Sequence, residues 1–259
     1  DRIIHTIYSG ISDLYYQIGI ISVSGHTYKW FIENFDHKKI INIEHNFVND
    51  EFKNKIIEDE IKHNDLKVDI LENKQHSNII ASTKFTSTKD LFFIPHIGGR
   101  LSPSQPYFKG AFIGIDWDHN LGSFYLSILE ANGYELYYIL GHIKKLNSLS
   151  SDYFSEIKVI GGGSQNNIEN KIKANILNLK YIVPKKIPFE IVGDFLIAKY
   201  KDRVREGYKE LEDSGVFCVE SIIKPDYNRV KYYSEKKEKY KKIIEKLDRL
   251  FFEISNPRN

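Results

Sequence analysis

The sequence predicts an α/β domain in which short strands alternate with amphipathic helices. Three observations carry that expectation. Strand-like runs at 15–21, 111–117, 157–160 and 181–183 are each followed by apolar residues at helical spacing. Glycines stand at two strand-to-helix turns, as Gly25 and as the run Gly161, Gly162 and Gly163. A chain of 259 residues, 41% of them hydrophobic, is long enough to bury a large core.

The elements follow in order. Tyr15 to Ile21 reads as a strand, and Ser24-Gly25-His26-Thr27 opens a helix through Trp30 and Phe31 to about Phe35. Residues 36–90 are polar and lysine-rich, with a helical stretch near 49–62, and read as a peripheral insertion in a domain covering 1–259. Leu91 to Ile97 is a short apolar run. Gly98 to Pro106 must be irregular, because Pro103 and Pro106 have no N–H to give to a ladder. Ala111 to Trp117 alternates like a strand. From Leu121 to Leu140, a stripe that includes Tyr125, Ile128, Leu129 and Ile139 marks a buried helix.

The most legible stretch comes next. A strand at Ile157–Ile160 leads through Gly161-Gly162-Gly163-Ser164 into a helix from about Asn166, with Ile168, Ile172, Ile176 and Leu179 on one face. Strand Tyr181–Val183 and helix Phe189–Tyr200 follow, the latter with Gly193 and Ala198 where another element could come close. The tail at 228–252 is charged, yet Tyr233, Tyr240, Ile244, Leu247 and Phe251 recur at helical spacing. It reads as a docked surface helix whose interleaved lysines and glutamates face solvent.

Charge excludes some partners. With 37 Lys plus Arg against 35 Asp plus Glu, the net charge of +2 provides no field for nucleic acid or an anionic membrane. No apolar run is long enough to span a bilayer. A single cysteine, Cys218, forms no intramolecular disulfide and fits a reducing, cytoplasmic setting. The absence of methionine and the start at Asp1, within what reads as a strand, suggest a fragment.

Among possible chemistries, the triple glycine has the clearest physical use. Backbone without Cβ atoms takes φ > 0 and approaches a flat ligand closely, and the N–H groups opening the next helix favour polar or anionic groups. A tight turn without ligand would have the same sequence. Neither a G-x-G-x-x-G nor a G-K-[ST] fingerprint is present. Asp116, Asp118 and His119 form an acid/base cluster, but at a strand-to-helix corner such residues cap backbone donors. The histidines show no metal spacing.

The segments around these glycines resemble the FGGY family of carbohydrate kinases. Phe93-Ile94-Pro95-His96-Ile97-Gly98-Gly99-Arg100, with Pro103 and Pro106, is similar to the family's Pro-x-x-Gly-x-Arg loop. Gly110 to Ile115 with Ser127-Ile128-Leu129-Glu130 resembles its second signature, and Ile160 to Asn167 with Ala174-Asn175-Ile176-Leu177 its adenosine loop. Glu190-x-x-Gly193, Lys224-Pro225 and the spaced tyrosines of the tail agree with the family's C-terminus. Lys29 stands where some members have glutamine, and Ser123 where His, Asp, Glu or an amide is usual.

The resemblance implies an actin-like, ribonuclease-H-like ATPase fold, of which this chain is the C-terminal lobe, with a central mixed sheet flanked by helices. It implies ATP as cofactor, with Mg²⁺ on the phosphates. Carried over, Gly161, Gly162, Gly163 and Ser164 would lie against the adenosine, Asn166 would hydrogen-bond the adenine edge, and Gly25 and Lys29 would face the phosphates. The catalytic base would belong to an N-terminal lobe absent from this chain, leaving it inactive alone. The other partners implied are a sugar or polyol, leaning towards xylulose, with a homodimer permitted. Two rivals share the fold: a non-catalytic nucleotide-binding module and an actin-like assembly protein.

Overall fold

The computed structural model describes residues 3–8, 15–21, 24–35, 88, 90–215 and 218–256. Apart from Thr88 and Asp90, the expected insertion at 36–90, including its helical stretch, lies outside the described residues. The chain divides into two compact units, one of residues 1–21, 100–105 and 133–237, the other of residues 22–99, 106–132 and 238–259.

In the first unit, β1 (His5–Tyr8) and β2 (Tyr15–Ile18) form an antiparallel ladder with His5 opposite Ile18. Pairing stops before the expected Ile21. At Gly19 a Cβ would overlap the Ile139 side chain, so the backbone there lies directly against that residue. The principal sheet contains β5 (Glu156–Lys158), β6 (Lys180–Pro184) and β7 (Val219–Ile223). Central β6 runs parallel to β5 and antiparallel to β7, so the sheet is mixed.

The crossover between β5 and β6 is a helix, α3 (Asn167–Leu177). Its buried face holds Ile172, Ala174, Ile176 and Leu177, and Asn178, at φ 54°, ends it in the left-handed conformation. Ala174, Leu177, Leu179 and Tyr181 form a core cluster with Tyr137, Leu140, Ile157, Val159 and Ile223 packed against it. A Cβ on Gly133 would sit 2.5 Å from Ile176 Cδ1, so the small residue allows two helices to approach.

β6 ends for a covalent reason. Its register with β7 shifts between Val183 and Pro184, where proline has no N–H to continue the ladder. The connector then leads to α4 (Phe189–Tyr200), which packs with α5 (Val204–Asp213). The bounds of α4 match the expected helix, but among the described residues no element makes the close approach that Gly193 and Ala198 would allow. A Cβ at Gly193 would meet nothing within 4 Å, Ala198 is exposed, and Leu196 is the buried residue of the helix.

The second unit contains α1 (Ser24–Asn34) and the antiparallel pair β3 (Phe92–Ile94) and β4 (Ala111–Ile113). β4 is shorter than the expected 111–117. Gly114, at φ 80°, turns the chain against the Asp90 carbonyl, leaving no room for a Cβ. Aromatic residues fill this core: the rings of Phe93 and Phe112 are 4.6 Å apart and those of Phe108 and Phe251 5.2 Å.

Two long helices contribute residues to both units. α2 (Leu121–Leu146) continues a turn and a half beyond the expected Leu140. α6 (Tyr227–Ser255) buries Tyr233, Tyr240 and Ile244, as its spacing predicts. Its lysines are not all solvated: Lys236 is buried, with its ammonium 5.3 Å from the centre of the Tyr232 ring. The described elements form a mixed α/β architecture.

Candidate functional site

The candidate site lies within the first unit, where the glycine turn meets the connector from β6 to α4. Gly161, Gly162 and Ser164 from one segment, and Pro184 and Lys186 to Glu190 from the other, line a cleft of about 480 Å³. That volume suits a small organic ligand.

Sequence dictates the shape of the glycine segment. Gly161 has φ 85° and ψ −175°, a conformation that residues with a Cβ rarely take. A short 3₁₀ turn follows at Gly162–Gln165. Ser164 donates to the Gly161 carbonyl twice, from its N–H at 3.2 Å and its Oγ at 2.7 Å. Asn166 then opens α3, its Oδ1 accepting from the Glu169 N–H at 3.1 Å. An ideal Cβ on Gly161, Gly162 or Gly163 would meet no atom within 4 Å. Among the described residues nothing fills the space where the three side chains would stand, while Gly161 is held to glycine by its φ.

The sequence-predicted residues fall into three groups. Gly161, Gly162 and Ser164 line the cleft. Gly163 and Asn166 stay with the turn but are not among the lining residues; the Asn166 oxygen is engaged as a helix cap. Gly25 and Lys29 belong to α1 of the second unit, where Gly25 is exposed and Lys29 Nζ lies 3.7 Å from Glu33. The cleft's second segment, Pro184 and Lys186 to Glu190, was missed. The available signal was a pair of prolines, Pro184 and Pro188, bracketing three residues directly after a strand.

The acid/base cluster serves as a corner. Asp116 Oδ1 accepts from the Trp117 N–H at 2.6 Å, and His119 Nδ1 accepts from the Asp116 N–H at 2.8 Å. Asn120, not an aspartate, caps α2 by accepting from Gly122 and Ser123. Among the described residues no three His, Cys, Asp or Glu side chains converge as a metal site, and no helix is long and apolar enough to cross a membrane. Two surface groups outside the cleft titrate away from their ordinary values. The Ser150 hydroxyl holds Asp152 below the carboxylate range, and the Tyr200 hydroxyl holds Lys199 above the usual lysine value.

Known proteins share this arrangement of chain. A xylulose kinase of Staphylococcus epidermidis is 24% identical over 227 residues, covering 87% of this chain and 37% of that protein. A glycerol kinase 2 of Sulfolobus acidocaldarius is 26% identical over 60% of this chain and 31% of its own length. The chain thus spans about a third of the length of these relatives. Among solved structures, a xylulose kinase from Rhodospirillum rubrum superposes with a TM-score of 0.61 at 13% identity, covering 96% of this chain and 42% of that one. A Plasmodium falciparum glycerol kinase with ADP gives 0.59 at 15% identity, covering 94% of this chain and 42% of that one. The model of the C-terminal domain of the FGGY carbohydrate kinases matches residues 2–200, and the chain belongs to that family.

Proposed function

We propose that this chain is the nucleotide-binding lobe of an ATP-dependent carbohydrate kinase that transfers the γ-phosphoryl group to a hydroxyl of a ketose such as xylulose. One observation carries the reading. Gly161 and Gly162 present bare backbone to the cleft, with open space where their side chains would be, and Phe189 lines the same cleft. A flat heterocycle seated on glycine backbone and stacked on an aromatic ring suits that cradle, stacking being worth about 1–3 kcal/mol per base. The glycerol kinase bound to ADP supports a nucleotide as ligand.

The residues fit the adenosine end of ATP. Gly161, Gly162 and Ser164 would form its backbone wall, with Phe189 and the Pro184–Pro188 connector alongside. Mg²⁺ would travel on the nucleotide phosphates. Phosphoryl transfer asks the protein chiefly for positioning and for charge stabilisation, together with a base for the acceptor hydroxyl. This lobe contributes the positioning. The base, the sugar contacts and closure around the substrate are assigned here to the N-terminal lobe of the same kinase, working in the cytoplasm, so that the 259 residues alone bind nucleotide without phosphorylating sugar.

Calorimetry with ADP tests the reading. Because a Cβ at Gly162 meets nothing in the protein, Gly162→Val should leave melting unchanged. It should weaken ADP binding at least tenfold, about 1.4 kcal/mol, by filling the cradle. Equal ADP binding by the variant would sink the reading. Sugar phosphorylation by this chain alone would put the base within it.

A further inference from the structure

Asn170 lies one turn into α3, does not line the cleft, and is almost fully buried, at 2% exposure. Its side-chain amide reaches back to the turn: Nδ2 donates to the Ser164 carbonyl at 2.7 Å. Ser164 in turn donates its hydroxyl to the Gly161 carbonyl at 2.7 Å. The two bonds form a relay from the helix interior, through Asn170 and Ser164, to the left-handed glycine at the cleft wall. Asn170 N–H separately makes the helical bond to the Asn166 carbonyl at 3.0 Å, so the side chain is surplus to the helix itself.

We infer that Asn170 is a positioning residue for nucleotide binding, holding the Gly161–Ser164 turn in the conformation that presents bare backbone to the cleft; this rests on the nucleotide reading above. The physical need is specific. Three consecutive glycines lose more conformational freedom on ordering than any other residues would, and two of them lie in the single 3₁₀ turn that leads to α3. A buried amide donating to the Ser164 carbonyl removes that freedom before the ligand arrives, so that binding does not have to order the loop.

Three variants test the inference. Asn170→Ala removes the donor while keeping a strong helix former. In the unliganded protein, amides of residues 161–165 should exchange about tenfold faster, amides of 174–177 should be unchanged, and ADP affinity should fall about tenfold. Asn170→Leu should do the same at every pH. Asn170→Asp supplies a pH signature: as a carboxylate it faces the Ser164 carbonyl with lone pairs, whereas its protonated form donates an O–H to it. Burial raises the pKa of such a carboxyl. ADP affinity of the Asp variant relative to wild type should therefore recover as pH falls from 8 to 5. The neighbouring Glu169–Lys173 pair, 2.6 Å apart, is present in both proteins and cancels in that ratio.

Unchanged exchange and affinity in Asn170→Ala, or faster exchange spread evenly along α3, would overturn the inference. So would failure of all three variants to fold, which would make Asn170 a core residue only. Absence of ADP binding by the wild type would instead remove the nucleotide reading, and the exchange measurement would still report whether Asn170 holds the turn.

Discussion

Replacing Tyr181 by phenylalanine should stabilise the protein, and the gain should grow at alkaline pH. Tyr181 sits in the central strand β6 at 1% exposure, and its hydroxyl has no hydrogen-bond partner among the described residues. A buried donor left unsatisfied costs about 1–3 kcal/mol. Deleting one oxygen forfeits a few dispersion contacts at about 0.1–0.2 kcal/mol each, leaving a net gain of about 1 kcal/mol. That is a melting increase of roughly 2–4 °C for a chain of this size. Burial, and secondarily the negative charge of Glu169, pushes the phenol's pKa well above its ordinary value. The sign follows. The folded state keeps a proton that the unfolded state releases near pH 10, so this contribution is whole below that pH and is lost above it, by up to about 1.4 kcal/mol per pH unit. Urea midpoints of wild type and Tyr181→Phe at pH 7.5 and 11 read both effects, because the other tyrosines are common to the two proteins. A variant less stable by about 1 kcal/mol at pH 7.5 would mean that the hydroxyl is satisfied. A difference independent of pH would refute the suppressed ionisation.

Two further outcomes separate conformation from contact. Gly161→Ala should cost about 1–3 kcal/mol in thermal melting, because φ 85° with ψ −175° strains any side-chain-bearing residue, whereas Gly162→Ala should fall between neutral and about 1 kcal/mol stabilising. Equal costs at the two positions would contradict the strain argument. Lys186 is an exposed cation lining the cleft, so Lys186→Gln should weaken ADP about threefold at low salt and leave adenosine binding unchanged. Titration calorimetry with both ligands decides it, and equal weakening for adenosine would show that the ammonium does not act on the phosphates.

Much of the fold was legible because burial imposes a period. The α4 helix keeps its expected bounds and α6 buries the tyrosines that its spacing singles out; the strand–glycine–helix unit around Gly161 is present, but its strand ends at Lys158 instead of Ile160 and its helix at Leu177, short of Leu179. Strand ends were less legible, because apolar alternation can run on past the residue that stops the pairing. Ala111 to Trp117 alternates throughout, but Gly114 turns the chain and leaves Ile115 at 61% and Trp117 at 100% exposure. In the insertion-like 36–90 stretch the pattern offered only a helical stretch near 49–62, which lies outside the described residues. The buried pair of Arg100 and Glu135, 3.8 Å apart, joins positions 35 residues apart in sequence that no local pattern links. The candidate site was half legible for the same reason. Glycines announce a bare backbone by type, whereas the Pro184–Glu190 connector becomes a wall only because β6 and α3 bring it beside the turn.

On the nucleotide reading, Asn166 would combine a structural duty with a recognition duty, although it is not among the residues lining the cleft. Its oxygen accepts from the Glu169 N–H, which uses the amide's acceptor and leaves its NH₂ group as donor. A purine ring nitrogen needs a donor, so capping α3 and reading a base edge draw on opposite ends of the same group. On the nucleotide reading, asparagine is then a better choice at this position than serine or aspartate, which cap helices equally well but offer, respectively, a single rotating hydroxyl or no donor at all.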